Sequence, residues 1–97
     1  MPYVHNDVRL WVNPALNGLL VDLSNLLDNE RAGAVNYCIT RIVAGAMKPE
    51  KGWNYESLLK AHGTFGAAAE EFYRRLIAPY EDVKIEKNGD IPEYEQS

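Results

Sequence analysis

The densest group of side chains that could bind a ligand lies late in the chain, in the sequence EFYRRLIAPYEDVKIEKNGD at residues 71–90. Tyr73 is followed directly by Arg74 and Arg75, and Tyr80 comes after the next proline. Guanidinium groups bind phosphate oxygens through paired hydrogen bonds, and tyrosine rings are flat surfaces on which bases stack. This segment therefore contains the parts of a nucleotide-binding site.

The same residues also have a structural explanation. One of the two arginines could pair with a nearby glutamate, because ion pairs one helical turn apart are common, and the other would then be solvated. The candidate partners are Glu70, Glu71 and Glu81. Lys84 and Lys87 extend the positive charge, yet glutamates lie close to both and could simply balance them. Spacing alone does not decide between the two explanations.

A second polar group interrupts an otherwise apolar helical pattern at Asn36, Tyr37, Thr40 and Arg41. Arg41 lies one turn beyond Tyr37 on the same side of a helix, so both could reach a ligand held between helices. In the structural alternative, Arg41 pairs with a carboxylate of another helix and Tyr37 lies at the edge of the core. The two polar groups could also line one groove.

The remaining residues do not support enzymatic chemistry. His5 and His62 are the only histidines, and neither has a second ligand at the spacing that a zinc site needs. Nothing around Ser24 or Ser57 marks a nucleophile. We therefore predict no catalytic residue, no metal and no cofactor.

Length and charge narrow the possibilities further. A chain of 97 residues has room for one domain that buries only about two-thirds of its unfolded surface, so self-association would help it to fold. The formal net charge of −4 disfavours non-specific binding to duplex nucleic acid. Cys38 is the only cysteine, and neither a signal peptide nor a membrane span is visible, so we expect a cytoplasmic protein.

Helical periodicity predicts two helices in the first half of the chain, and the second of them carries the second polar group. A first helix is predicted over residues 14–28, because Asn13 can cap it and Pro14 suits its first turn. A second helix is predicted over residues 31–47. The first helix should turn one leucine stripe towards a core. The stripe consists of Leu16, Leu19, Leu20, Leu23, Leu26 and Leu27.

A loop at residues 48–54 separates these helices from a long third one. Asn54 is placed to cap this helix, whose apolar spacing continues for several turns from Tyr55. Pro79 should kink or end it, because proline donates no backbone hydrogen bond and its ring clashes with the preceding turn. Alternating apolar and charged residues at 81–87 then suggest a strand or an extended arm.

These expectations define a mainly α fold. It is a small bundle of three to four helices with a short extended C-terminal arm, forming a homo-oligomer. Residues 1–97 would form a single domain, with an N-terminal arm at 1–13, a helical core at 14–78, and a C-terminal arm and tail at 79–97. The last residues of the tail are expected to fray.

Three blocks of sequence resemble a family of small bacteriophage proteins: MPY at residues 1–3, NYCITR at 36–41 and EFYRRLIAPYEDVKIEKNGDI at 71–91. The chain is also similar to phage sponge proteins of the anti-CBASS kind. Such proteins sequester cyclic oligonucleotide immune signals, such as 3′,3′-cyclic GMP-AMP, without cleaving them. The resemblance implies a small homo-oligomer, such as a tetramer, in the cytoplasm of the infected bacterial host, with the ligand held between protomers.

The resemblance also suggests roles for the candidate residues. Bases would stack on tyrosine rings, arginines would neutralise phosphates, and the polar side chains Asn36 and Thr40 would read base edges. The stacking residues would be Tyr37, Tyr73 or Tyr80, and the phosphate-binding residues Arg41, Arg74 and Arg75, with Lys84 in second place.

Two other classes of function remain open from the sequence. A protein-interaction module would dock either the leucine stripe or a tyrosine- and arginine-rich surface on a host enzyme, and Trp11 and Trp53 would add to its interface anchors. A structural accessory would form a stable helical oligomer without a deep polar pocket. Neither would bind nucleotides.

Overall fold

Helices make up most of the described chain. The computed structural model describes residues 2–95, so Met1 of the first sequence block and Gln96 and Ser97 of the predicted tail lie outside the described residues. The helices are α1 (Asn6–Ser24), α2 (Asp28–Met47), α3 (Tyr55–Phe72) and α4 (Ala78–Asn88). No strand occurs within residues 2–95. The predicted mainly α fold is confirmed.

Helix α1 begins before the predicted start at Pro14. Its first residue is Asn6, and Pro14 lies inside the helix, so most of the predicted N-terminal arm at 1–13 is helical. His5 provides the reason, because its Nδ1 accepts a hydrogen bond from the backbone N–H of Asp7 at 3.4 Å. The carboxylate of Asp7 also favours the positive end of the helix dipole. The cap at His5 thus replaces the expected cap before Pro14.

Arg31 joins the end of α1 to the start of α2. Its guanidinium donates hydrogen bonds to the backbone carbonyls of Leu23, Ser24 and Leu26, at 3.4, 3.3 and 2.8 Å. It also donates to the Asp28 carboxylate at 2.8 Å. Carbonyls at a helix C-terminus have no partner within the helix and attract cations. Arg31 therefore holds the tight turn between the two helices.

The predicted cap of the third helix is confirmed. Oδ1 of Asn54 accepts a hydrogen bond from the Ser57 backbone N–H at 2.9 Å, and Ser57 Oγ accepts one from the Asn54 N–H at 3.0 Å. This reciprocal arrangement is a capping box, which satisfies two donors at the helix start. In the preceding loop, Gly52 has a φ of +93°, which a side chain would strain.

Of the two outcomes predicted for Pro79, a kink or an end of the long helix, the end is not observed. A π-helical turn, Tyr73–Ile77, connects α3 directly to α4, and the Ala78 N–H bonds to the carbonyl of Tyr73, five residues earlier. In a regular α-helix the Pro79 ring would clash with the carbonyl of Arg75. The wider π turn moves this carbonyl out of the α-helical position, so the helix continues past the proline.

The predicted extended arm is also wrong. Residues 79–88 are helical, and α4 ends where Gly89 adopts a φ of +87°. The alternation of apolar and charged residues at 81–87 is too short to distinguish a strand from a helix, and here the helix propagates from α3. The elements α3, the π turn and α4 therefore form one long helical rod.

The helices form the predicted small bundle, and this bundle is open within the described part of the chain. Helix α1 packs against α2, α2 packs against α3, and α4 contacts only the π turn within the described part of the chain. The radius of gyration is 18.1 Å. A compact protein of this length would have a radius of gyration of about 12.5 Å.

Very little side-chain surface is buried as a result. Among residues 2–95, only Val43 of α2 and Ala61 of α3 are buried. The expected leucine stripe of α1 is only partly covered: Leu19 and Leu23 are half-buried, whereas Leu27 is 68% exposed. The stripe does not face a core within one copy of the chain, because α1 packs on a single neighbour.

Candidate ligand-binding site

The N-terminal segment folds back on the long helical rod and brings Tyr3 to Arg75. The Arg75 Cζ lies 6.0 Å from the centre of the Tyr3 ring, and Arg75 Nη1 donates a hydrogen bond to Tyr3 Oη at 3.3 Å. Pro2 lines a neighbouring hollow with Ala67 and Glu71 of α3. A guanidinium over an aromatic ring is attracted to its face. This contact fixes an arginine beside an exposed ring.

Arg41 and Tyr37 form a similar pair on α2. The Arg41 Cζ lies 5.9 Å from the centre of the Tyr37 ring, and Tyr37 is 60% exposed. The pair borders a shallow hollow that Leu19 of α1 and Ile42 also line. The expected spacing of one helical turn is confirmed, and no carboxylate within residues 2–95 forms an ion pair with Arg41.

A third pair lies on α4. The Lys84 Nζ is 5.6 Å from the centre of the Tyr80 ring, which is 63% exposed. The two residues are one turn apart on a helix that packs against no other helix in the described part of the chain. Like Arg41 and Arg75, Lys84 has no ion-pair partner among residues 2–95. All three cations therefore remain available to an anion.

Asn36 and Thr40 lie on a different side of α2 from Tyr37 and Arg41. They line a groove of about 510 Å³ between α2 and α3, whose other walls include Phe65 and Phe72. Thr40 Oγ1 donates to the backbone carbonyl of Asn36 at 2.9 Å, so part of its hydrogen-bonding capacity is used within the helix. The groove is mostly apolar.

Arg74 pairs with a nearby glutamate, as the structural explanation expects of one of the two arginines. Its Nε and Nη2 donate hydrogen bonds to Oε1 of Glu71 at 2.9 and 2.5 Å. The Glu71 side chain is only 18% exposed, so this ion pair is partly shielded from solvent. The pairing predicted for one of the two arginines is thus confirmed, and the charge of Arg74 is balanced locally. Within residues 2–95, Arg75 has no carboxylate partner of this kind.

Tyr73 forms a hydrogen bond with Glu81, which lies beyond the π turn. Its Oη donates a hydrogen bond to Glu81 Oε1 at 2.9 Å. Eight residues of regular α-helix would place the two side chains about 80° apart around the axis. A π turn has more residues per turn than an α-helix, so it reduces this angle. The hydrogen bond to Glu81 and the charge of Glu81 raise the pKa of Tyr73 above its ordinary value of 10.0, and desolvation and the charge of Asp82 contribute less.

We expect the Glu81→Gln substitution to return the pKa of Tyr73 to its ordinary range. A neutral amide removes the negative charge that disfavours the tyrosinate. The raised pKa means that the hydroxyl stabilises the fold fully below pH 10 and that this stabilisation is lost as pH rises through the folded-state pKa. The stability of the Glu81→Gln variant should thus fall less steeply above pH 10.

An NMR titration of the tyrosine ring carbons measures this pKa, and the Tyr73→Phe variant assigns the signal. A Tyr73 signal that titrates identically with glutamate or glutamine at position 81 would show that the hydrogen bond does not form in solution.

The predicted site residues do not converge on one pocket within a single copy. Two of them lie in the groove between α2 and α3, two lie near α1, and the rest lie along the rod. Tyr3 was not predicted as a site residue, although it belongs to the first sequence block. Only the fold brings it to Arg75, because the two residues lie at opposite ends of the chain.

Residues 2–95 lack two further features, a cluster of metal ligands and a membrane-spanning helix. No group of three or more histidine, cysteine, aspartate or glutamate side chains could hold a metal ion. In the same part of the chain, no helix has the length and apolar character needed to cross a membrane.

Comparison with known proteins gives one match. The family model described as "Domain of unknown function (DUF6899)" matches residues 1–91. The comparison with curated proteins and the comparison with solved structures each gave no match.

Proposed function

This chain belongs to the DUF6899 family, and we propose that it binds cyclic oligonucleotides and sequesters them without cleaving them. The ligand class is that of cyclic second messengers such as 3′,3′-cyclic GMP-AMP, and the protein would act for a phage in the cytoplasm of the infected bacterium. The observation that carries the proposal is the set of three cation–tyrosine pairs, whose tyrosines are exposed and whose cations form no ion pair with a carboxylate of residues 2–95.

Each pair combines the two interactions that a nucleotide needs. The ring of Tyr37 or Tyr80 would stack on a base, and such stacking contributes about 1–3 kcal/mol per base. The neighbouring Arg41 or Lys84 would bind a phosphate oxygen through a charge-assisted hydrogen bond. Because the cation already lies close to the ring, little side-chain freedom would be lost on binding.

The remaining predicted residues would have supporting roles. Asn36 and Thr40, at the edge of the groove between α2 and α3, would read base edges. Tyr73 and Arg74 would act less directly, because each already bonds to a glutamate. This arrangement favours Arg75 over Arg74 as the phosphate-binding residue of the π turn.

The ligand would lie between copies of the chain. A cyclic dinucleotide presents two bases and two phosphates in an arrangement close to two-fold symmetry, and two copies of one cation–tyrosine pair would match it. Within one copy the pairs lie apart, so a complete site requires self-association, as in a dimer or a tetramer. The ligand would be released intact, because the proposed site includes no nucleophile or general base directed at a phosphodiester.

The test is isothermal titration calorimetry with a panel of cyclic di- and trinucleotides. We expect saturable binding of at least one cyclic ligand, much weaker binding of its linear counterpart, and recovery of intact ligand after the protein is denatured. A folded protein that gives no heat with any cyclic ligand would contradict the proposal, and recovery of a cleaved ligand would contradict the sponge mechanism.

A second candidate function is docking on a host protein without a nucleotide ligand. Its support is the exposure of large side chains on the N-terminal half of α1, where Trp11 is 86% exposed and Leu10 is 64% exposed. Tryptophan is a favoured anchor of protein interfaces. Either a docking module or a structural accessory would give no heat in the nucleotide titration.

A further inference from the structure

The outer part of the long helical rod carries an apolar stripe that no other helix within residues 2–95 covers. The stripe consists of Leu76, Tyr80 and Val83, which are 59%, 63% and 62% exposed, respectively. Tyr80 and Val83, three residues apart on α4, lie on one helix face, and Leu76 precedes them in the π turn. We call these three residues the outer stripe.

The exposed area of the chain is larger than that of a compact monomer of the same mass. The accessible surface is 8700 Å², and a compact protein of 11.0 kDa would expose about 5,600 Å². The excess is therefore about 3,100 Å² per copy. Interfaces of obligate homodimers bury about 2,000–5,000 Å² in total, so the excess suffices for an interface of this class.

The charges beside the outer stripe favour a second copy as its partner. Glu81, Asp82 and Glu86 alternate along α4 with Lys84 and Lys87. Two copies related by a two-fold axis present the same patch to each other, and mixed charges allow acidic residues of one copy to face basic residues of the other. A patch of a single sign would instead repel its own copy.

We propose that the outer stripe is a self-association surface and that it packs against the outer stripe of a second copy of this chain. Pairing of the two stripes would cover Leu76 and Val83 and give α4 the packing partner that it lacks within one copy. The inference rests on the exposure and charge of α4 and does not depend on nucleotide binding.

Light scattering coupled to size-exclusion chromatography, without nucleotide, tests the proposal. We expect the wild-type mass to be twice 11.0 kDa or a higher multiple. The Leu76→Glu and Val83→Glu variants should weaken association at least tenfold, because each would bury a carboxylate in the apolar contact. Leu27→Glu is the matched control, since Leu27 is 68% exposed, lies outside the outer stripe, and should keep the wild-type mass.

Circular dichroism shows whether the glutamate variants keep their helical fold. Cross-linking shows directly whether the two outer stripes are in contact. Because Val83 is exposed, Val83→Cys in a Cys38→Ser background should fold, and a short bismaleimide should join two copies through it. A cysteine at Leu27 in the same background should cross-link far less. The proposal is overturned by a wild-type mass of 11.0 kDa, by glutamate variants that keep the wild-type mass, or by equal cross-linking at the two positions.

Discussion

The Arg75→Ala substitution is expected to weaken the binding of a cyclic dinucleotide by about 10- to 150-fold. This range corresponds to about 1.5–3 kcal/mol for a hydrogen bond to a charged group. Arg75 lies over the Tyr3 ring, and no carboxylate among the described residues neutralises it. The exposed guanidinium contributes little to folding, so the melting temperature should change little. Calorimetric titration of the folded variant measures the loss.

Arg74→Ala is the matched control, because the same residue type is removed one position away. Arg74 is held by Glu71 and should contribute little to phosphate binding, so we expect affinity to fall less than about threefold. The assignment of Arg75 fails if its alanine variant binds as the wild type does, or if Arg74→Ala causes the larger loss.

The Pro79→Ala substitution is expected to remove the π turn and to raise the melting temperature. Alanine restores an N–H that can bond to the carbonyl of Arg75. Proline inside a helix costs about 3 kcal/mol, but the π turn already relieves part of this cost, and proline also restricts the unfolded chain. We expect a net gain of about 1–2 kcal/mol, which is about 5–10 °C for a domain of this size.

The change in helix geometry has a second readout. A regular α-helix would move Glu81 away from Tyr73, so the pKa of Tyr73 should return to its ordinary range as in Glu81→Gln. Pro14→Ala provides the control, because it removes a proline from α1 and should leave the Tyr73 titration unchanged. A Pro79→Ala variant whose Tyr73 pKa stays raised would show that the π turn does not depend on the proline.

Local signals predicted the helices well where the deciding contacts are short-range. The cap at Asn54 involves Ser57, three residues later, and both partners are visible in the sequence. The start of α1 is also local, yet it was misplaced, because a histidine cap is uncommon and an Asn-Pro pair is a familiar start signal. Such a signal marks where a helix can begin and does not exclude an earlier start.

The C-terminal arm was misjudged for a different reason. The expectation that proline ends or kinks a helix assumes regular α-helical geometry. It does not consider that a π turn can form just before Pro79. Whether a helix forms a π turn at this point depends on how stable the helical segments on both sides of the proline are. Single-residue preferences do not contain that information.

Only some contacts of the candidate site could be predicted from the sequence. Helical spacing was enough to pair Tyr37 with Arg41. It could not assign Asn36 and Thr40 to a different groove, because the position of α3 decides that. The contact between Tyr3 and Arg75 depends on the whole fold, since it joins the two ends of the chain.

Because α4 packs against no other helix within residues 2–95, any change of direction at the π turn would be magnified along its length. The helix has 11 residues and is therefore about 16 Å long. A 20° change of direction at the π turn would displace its far end by about 6 Å. Lys87, near that end, would move by more than the length of a hydrogen bond, whereas Tyr80, close to the π turn, would move much less.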